Sequence, residues 1–73
     1  MPIEQDKQNR IFEAATERFA RFGFKKTSID EIAKDAAVGK GTVYLVAESK
    51  EDLFYQVVHR DRHAQFVSTL ALI

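Results

Sequence analysis

The stretch VGKGTVY, residues 38–44, places a lysine, two hydroxyl side chains and two glycines close together. Ammonium and hydroxyl groups can contact phosphate oxygens and the polar edges of bases. Gly41 has no side chain, so the backbone at this position can approach a ligand surface closely. The sequence therefore predicts an exposed contact face that carries Lys40, Thr42 and Tyr44, with Gly41 as the gap between them.

These glycines do not form a nucleotide-binding phosphate loop. That motif requires G-x-x-x-x-G-K-[ST] after a strand. Gly39-Lys40 is followed by Gly41, and Lys34 stands where the first glycine of the motif belongs. The alternative without function is that Gly39 is a turn residue and Gly41 a weak point in a short helix, where glycine costs about 1 kcal/mol relative to alanine.

Two histidines, His59 and His63, are four residues apart, a spacing that places both on one face of a helix and is compatible with zinc. Arg60 replaces the glutamate of the zincin motif, and a second arginine follows before His63. We interpret the pair as a solvated helix face or a subunit contact. The segment is predicted to hold no metal and no cofactor, and because no nucleophile, base and orienting group form a set, it is predicted not to be an enzyme.

The composition is typical of one small globular domain of 73 residues, 45% hydrophobic and 30% charged. The absence of cysteine excludes disulfides and thiolate zinc sites. No apolar run approaches the roughly 18 residues of a membrane span, and the polar N-terminus is no signal peptide, so we expect a cytoplasmic protein without membrane contact. Eleven basic residues balance eleven acidic residues, so any nucleic-acid binding depends on the local placement of charge.

Apolar residues recur at steps of three and four, and no alternating strand pattern occurs. This periodicity predicts an all-α fold with four helices, over residues 6–22, 28–36, 40–47 and 50–72. Gly23 is predicted to end the first helix, with Phe24 folded back on its last turn. Thr27 with Asp30 is predicted to cap the second helix, and Ser49 with Asp52 to cap the fourth. The predicted core stripes contain Ile11, Ala15, Phe19, Phe22, Ile29, Ile32, Ala33, Ala36, Leu53, Phe54, Val57 and Val58.

The second and third predicted helices are joined by three or four residues, and the third begins with small polar side chains. This arrangement is a helix-turn-helix. Val38 is expected to close the core at the turn and Val43 to anchor the third helix. Tyr44 lies on the exposed face, or alternatively is a core tyrosine with its hydroxyl at the rim. The chain ends in the apolar residues 68–73 without a cap, so we expect a fragment cut on its C-terminal side, or a surface covered by another chain.

Four ordered blocks carry a family resemblance: FARFGF (19–24), TSIDEIA (27–33), AAVGKGTVY (36–44) and SKEDL (49–53). Over about residues 8–60 the chain resembles the N-terminal DNA-binding region of the tetracycline-repressor (TetR) family of bacterial transcription regulators. The resemblance implies a three-helix DNA-binding head in residues 1–47 and the start of a connecting helix in 48–73. It also implies a homodimer on double-stranded operator DNA, and a repressor released by a small-molecule inducer bound in a C-terminal domain absent from this chain.

The resemblance also implies roles for individual residues. Lys40, Gly41 and Tyr44 fall on the base-reading face, and Thr42 and Lys50 at phosphate-contact positions. Thr27 and Ser28 open the second helix beside the DNA backbone, although Thr27 can equally be a cap alone. The complete predicted DNA-binding set is Thr27, Ser28, Gly39, Lys40, Gly41, Thr42, Tyr44, Leu45 and Lys50.

Three departures from the family pattern affect this prediction. Ala37 replaces the usual turn glycine, which requires a different or more strained turn. Gly39 replaces a capping serine, at a cost of about a few tenths of a kcal/mol. Leu45 and Val46 replace aromatic or histidine residues, so we expect fewer phosphate contacts or a shifted docking. With the neutral net charge, this leaves an alternative: a helical protein-interaction module with reduced or lost DNA binding.

Overall fold

The computed structural model describes residues 4–61, with side chains as far as His59. It contains α1 (Gln5–Phe22), α2 (Ile29–Ala36), α3 (Lys40–Tyr44) and α4 (Lys50–Asp61). No strand occurs in this part of the chain, so the all-α prediction with four helices is confirmed. The predicted continuation of the fourth helix to residue 72, His63 and the apolar end of the chain lie outside the described residues.

α1 packs its apolar stripe inward and ends where the sequence predicts. Ile11, Ala15 and Phe19 are buried, and Gly23 ends the helix with a φ of 86°, a value that favours glycine. The prediction that Phe22 joins this core is wrong, because its side chain is 47% exposed. Phe24 folds back instead and stacks on Phe19 with ring centres 5.9 Å apart, so the loop supplies the aromatic ring that closes this end of the core.

The N-terminus of α2 is capped by Ser28. Its hydroxyl accepts a hydrogen bond from the Glu31 backbone N–H, and the Glu31 carboxylate accepts one from the Ser28 N–H, which is a complete capping box. The prediction of Thr27 with Asp30 as the cap is therefore wrong by one residue. The Thr27 hydroxyl instead donates to backbone carbonyls of the preceding loop and α1, at 2.8 Å from that of Gly23.

Ala37 turns the chain from α2 towards α3 in the left-handed conformation, with φ 60° and ψ 42°. Its N–H donates to Lys34, and the N–H of Val38 donates to Ala33, so the last carbonyls of α2 are satisfied as in a Schellman motif. The left-handed region costs an alanine about 1–2 kcal/mol. The expected strain of this turn is thus present, and Val38 packs against the core beside it.

α3 is shorter than predicted and ends at Tyr44 rather than at residue 47. The N–H groups of Leu45 and Val46 donate to the carbonyls three residues earlier, so the chain tightens into a turn. This turn carries Ala47 into the core, where it is 3% exposed. Val43 is completely buried and anchors α3, as predicted.

α4 begins at Lys50, with the Ser49 hydroxyl accepting a hydrogen bond from the N–H of Asp52. Leu53 and Val57 are buried in the core formed by the other helices. The prediction that Val58 is a core residue is wrong, because it is 38% exposed. Phe54 is equally exposed, but its ring contacts those of Phe19 and Phe24, so the prediction for it is partly met. Each follows an inward-facing residue by one position, which turns it by about 100° towards the edge of the bundle.

Two arginines of α1 contact the C-terminal end of α2. Arg18 donates two hydrogen bonds to Asp35, 2.6 and 3.1 Å long, and Arg10 donates to the carbonyl of Ala36 at 3.0 Å. The hydrogen bond from Arg18 lowers the pKa of the Asp35 carboxyl, although desolvation opposes the shift. Both acceptors lie in the last turn of α2, so these contacts hold the helix-turn-helix against the core.

Candidate nucleic-acid interface

An open concave surface lies between the loop before α2, the first turn of α2, α3 and the start of α4. It is lined by Lys25, Lys26, Thr27, Ser28, Ile29, Asp30, Glu31, Lys40, Tyr44, Glu48, Ser49 and Lys50. The fold thus gathers many of the predicted DNA-binding residues, which are spread over more than twenty positions in the sequence, around one depression. We refer to it below as the concave surface.

Cations outnumber carboxylates on the concave surface. Its four lysines stand against three carboxylates, and the Glu31 carboxylate is already engaged by the capping box. Lys25 and Lys26 are exposed in the loop before α2. The lining of the concave surface therefore carries a small net positive charge of +1, although the whole chain is neutral.

α3 presents an exposed face at Gly41 and Tyr44 beside the concave surface, which we call the α3 ledge. Gly41 is exposed, and a methyl group added there would meet no atom within 4 Å beyond its chain neighbours and the backbone of α3 itself. Tyr44 is 45% exposed, which excludes the alternative that it is a core tyrosine, and Leu45 is 65% exposed. Thr42 is half-buried on the same helix. The backbone at Gly41 is thus open to close approach by a flat or convex partner.

Lys40 extends from the first position of α3 towards α2. Its Nζ lies 3.4 Å from Oδ1 of Asp30, and both side chains remain largely exposed. The sequence predicted Asp30 only as a capping residue. The ion pair joins the two helices of the helix-turn-helix on the side that faces the concave surface.

Lys50 contacts the loop before α2 and also lines the concave surface. Its ammonium donates to the carbonyl of Phe24 at 2.9 Å and lies 4.3 Å from the centre of the Phe24 ring. An ammonium has further N–H groups after making one hydrogen bond. Lys50 can therefore hold the loop and still contact a phosphate at the predicted position.

Thr27 lines the concave surface but, unlike the other predicted contact residues there, is buried. Thr27 is 2% exposed, so its side chain cannot contact a ligand directly. Ser28, the adjacent residue, is exposed. Gly39 is extended before α3, and its carbonyl accepts hydrogen bonds from the N–H groups of Thr42 and Val43. The S-x-x-E spacing of Ser28 and Glu31 is the signal that identifies the true cap.

Neither a metal centre nor a membrane span is found among residues 4–61. No three histidine, cysteine, aspartate or glutamate side chains in that range are grouped in a way that could hold a metal ion. His59 packs against Tyr55, with ring centres 4.1 Å apart, and its predicted companion His63 lies beyond the range. None of the described helices combines the length and the hydropathy needed to cross a bilayer.

Residues 11–57 match the family model for bacterial regulatory proteins of the tetR family. The chain belongs to this family. YhgD, an uncharacterized HTH-type transcriptional regulator of Bacillus subtilis, is 48% identical to it over 52 residues, which cover 71% of this chain and 27% of the relative. The fatty acid metabolism regulator protein of Bacillus subtilis is 31% identical over 70 residues, which cover 96% of this chain and 36% of the relative.

An uncharacterized HTH-type transcriptional regulator of Haemophilus influenzae is 37% identical to this TetR-family chain over 65 residues, 89% of the chain and 34% of the relative. The predicted family is therefore confirmed, and the helix-turn-helix described above is its DNA-binding domain. The matches with these three relatives extend over between 27% and 36% of their lengths. The concave surface and the α3 ledge both lie in the segment that matches the family.

Proposed function

We propose that this chain is the DNA-binding head of a sequence-specific transcription regulator, and that α3 enters the major groove. The observation that carries the proposal is the exposed α3 ledge next to a locally basic surface. A bare backbone at Gly41 and the exposed Lys40 and Tyr44 suit base edges, whereas Lys25, Lys26, Ser28 and Lys50 suit the flanking phosphates. The segment has no catalytic role in this proposal.

The regulator acts as a homodimer on a pseudo-palindromic operator. A helix as short as α3 spans few base pairs, so a second head about 34–36 Å away along the DNA is needed for an operator of useful length. Dimerisation and an inducer site belong to a C-terminal domain, for which the length of the relatives leaves room. Binding of the inducer there releases the repressor from DNA, and a protein that acts on operators works in the cytoplasm.

The test begins with selection of preferred sites from a randomised duplex library by the full-length protein. Affinity for the selected site is then measured at several salt concentrations, for wild type and for Lys40→Ala and Lys50→Ala. Because a specific base contact is worth about 1–3 kcal/mol, Lys40→Ala is expected to relax specificity, whereas Lys50→Ala weakens all sequences alike and lessens the salt slope by about 1. Lys7→Ala, an exposed lysine of α1 outside the concave surface, is the matched control and leaves affinity unchanged.

A full-length protein that shows no salt-dependent DNA binding contradicts the proposal. The release step is tested separately, by adding extracts or compound libraries to the preformed complex and measuring dissociation. Occupancy of the operator in cells with and without the gene, together with transcript levels, distinguishes repression from activation.

The second candidate function is a helical protein-interaction module, which the 65% exposure of Leu45 favours. Leu45→Lys distinguishes the two functions because it replaces an apolar contact by a cation. If α3 docks on DNA, the new ammonium lies near the backbone and raises affinity in low salt. If Leu45 contacts a protein, the substitution abolishes the partner complex, and wild type shows no retention of DNA at low salt.

A further inference from the structure

We propose that Asp30 is a specificity-determining residue that directs Lys40 away from the phosphates and towards base edges. The inference rests on the proposed function and names an additional member of the same site. It starts from the ion pair between Lys40 Nζ and Asp30 Oδ1, 3.4 Å apart on the concave surface.

The pair joins α2 to α3 but contributes little to the stability of the fold. The Asp30 and Lys40 side chains are 72% and 54% exposed, and an ion pair in such contact with water adds little to stability. Asp30 is not needed as a cap either, because Ser28 and Glu31 complete the capping box of α2. The carboxylate of Asp30 is thus available for a role at the surface.

A carboxylate on a DNA-facing surface lowers affinity, because it repels every phosphate near it irrespective of sequence. A lysine without a partner has the opposite defect: its flexible ammonium is a point charge that binds phosphate wherever it meets one. Pairing Asp30 with Lys40 corrects both defects at once. The carboxylate holds the ammonium in one direction and offsets its attraction for the backbone.

Directed in this way, Lys40 still has N–H groups to donate. Guanine presents two acceptors, O6 and N7, in the major groove, and lysine can contact both. Contact with guanine brings no second anion to Lys40, whereas a phosphate bound to the same ammonium is repelled by the adjacent Asp30 carboxylate. The preference for guanine therefore arises both from the contact with guanine and from the energetic cost of binding a phosphate at Lys40.

The test compares Asp30→Asn with Glu48→Gln in the full-length protein. Both substitutions remove one negative charge from the concave surface, but Asp30 is the carboxylate that pairs with Lys40. Affinities are measured for the selected site, for the site with its guanines replaced one at a time, and for unrelated duplex DNA. Circular dichroism verifies the fold of both variants, whose altered side chains are exposed.

Glu48→Gln is expected to strengthen binding to all duplexes by a similar factor. Asp30→Asn is expected to strengthen non-specific binding while the preference for the critical guanine falls by about tenfold. With Lys40→Ala in the background, the effect of Asp30→Asn on specificity disappears, because the two residues act as one unit.

The outcomes separate this inference from the function on which it rests. If wild type selects no preferred site, the proposed function fails. If wild type selects a site and Asp30→Asn behaves as Glu48→Gln does, or keeps its effect without Lys40, the role assigned to Asp30 is overturned.

Discussion

The ammonium of Lys50 lies 2.9 Å from the carbonyl oxygen of Phe24, a residue 26 positions earlier in the chain. The first turn of α4 is thereby joined to the loop that carries Lys25 and Lys26. Phe24 is itself held between the rings of Phe19 and Phe54. The position of the basic loop thus depends on α4 as well as on the helices that flank it.

Replacing Lys50 by methionine preserves an apolar stem but removes the ammonium. The Lys50→Met variant is expected to lose about 1 kcal/mol of unfolding free energy, from the hydrogen bond and the contact with the Phe24 ring. It also loses DNA affinity for all sequences alike. Urea denaturation and DNA titration measure the two effects. Lys26→Met, on the same surface and exposed, is the control and is expected to lower DNA affinity without changing stability. Equal unfolding free energies for the two variants would show that the Lys50 contact does not stabilise the fold.

At Gly41, stability and DNA binding are expected to change in opposite directions. An added methyl group meets nothing within 4 Å outside its chain neighbours and the backbone of α3, and alanine is the better helix former, so Gly41→Ala raises the unfolding free energy by up to about 1 kcal/mol. The same methyl group stands between the α3 backbone and the bases, so affinity for the selected site falls. A variant that gains stability and binds as tightly as wild type removes Gly41 from the contact surface.

The left-handed turn at Ala37 offers a stabilising substitution. Glycine adopts φ 60° without the steric cost that alanine incurs there, although it loses more entropy on folding. Ala37→Gly is therefore expected to raise the unfolding free energy by about 0.5–1 kcal/mol. Ala20→Gly, at an exposed position inside α1, is the matched control and lowers it by about 1 kcal/mol. The same sign for both substitutions would contradict the strain assigned to the turn.

The contact between Arg18 and Asp35 makes the stability of the fold depend on pH on the acid side. The hydrogen bond from Arg18 depresses the pKa of Asp35 in the folded protein. The contribution is therefore fully present above the unfolded value of about 3.9 and is lost as the pH falls through the folded pKa. The pKa of Arg18 is raised, mainly by the same hydrogen bond, and this guanidinium stays charged throughout.

Denaturation by urea between about pH 6 and pH 2 measures this dependence. Asp35→Asn is expected to be less stable at neutral pH and to show a flatter decline in acid. Arg18→Lys keeps the charge but not the two parallel hydrogen bonds. Its stability is therefore expected to fall in acid more steeply than that of Asp35→Asn but less steeply than that of wild type. A decline in Asp35→Asn as steep as in wild type would assign the acid sensitivity to other carboxylates.

Local signals in the sequence were sufficient to predict that four helices form and which residues make up most of the core. They did not give the end of α3 or the residue that caps α2. The apolar period of α2 identified all four of its buried residues, and Gly23 marked the end of α1. An exposed contact face around Gly41 was also predicted from residue types, whereas the alternative that Tyr44 is a core tyrosine was excluded only by its 45% exposure. These features depend on neighbours within one turn of helix, which the sequence specifies directly.

Tertiary packing decided which side chains complete the core and the site. The sequence predicted that Phe24 folds back on α1, but it also placed Phe22 in the core, and only the path of the loop shows that Phe24 replaces Phe22 and meets Phe54 as well. The contacts of Lys50 with Phe24 and of Lys40 with Asp30 join residues on different elements, and no local spacing encodes them. The sequence therefore determined which residue types are present on the concave surface. Which of them pair was determined by how α1, α2, α3 and the start of α4 pack around a shared core, because the paired residues lie on different elements.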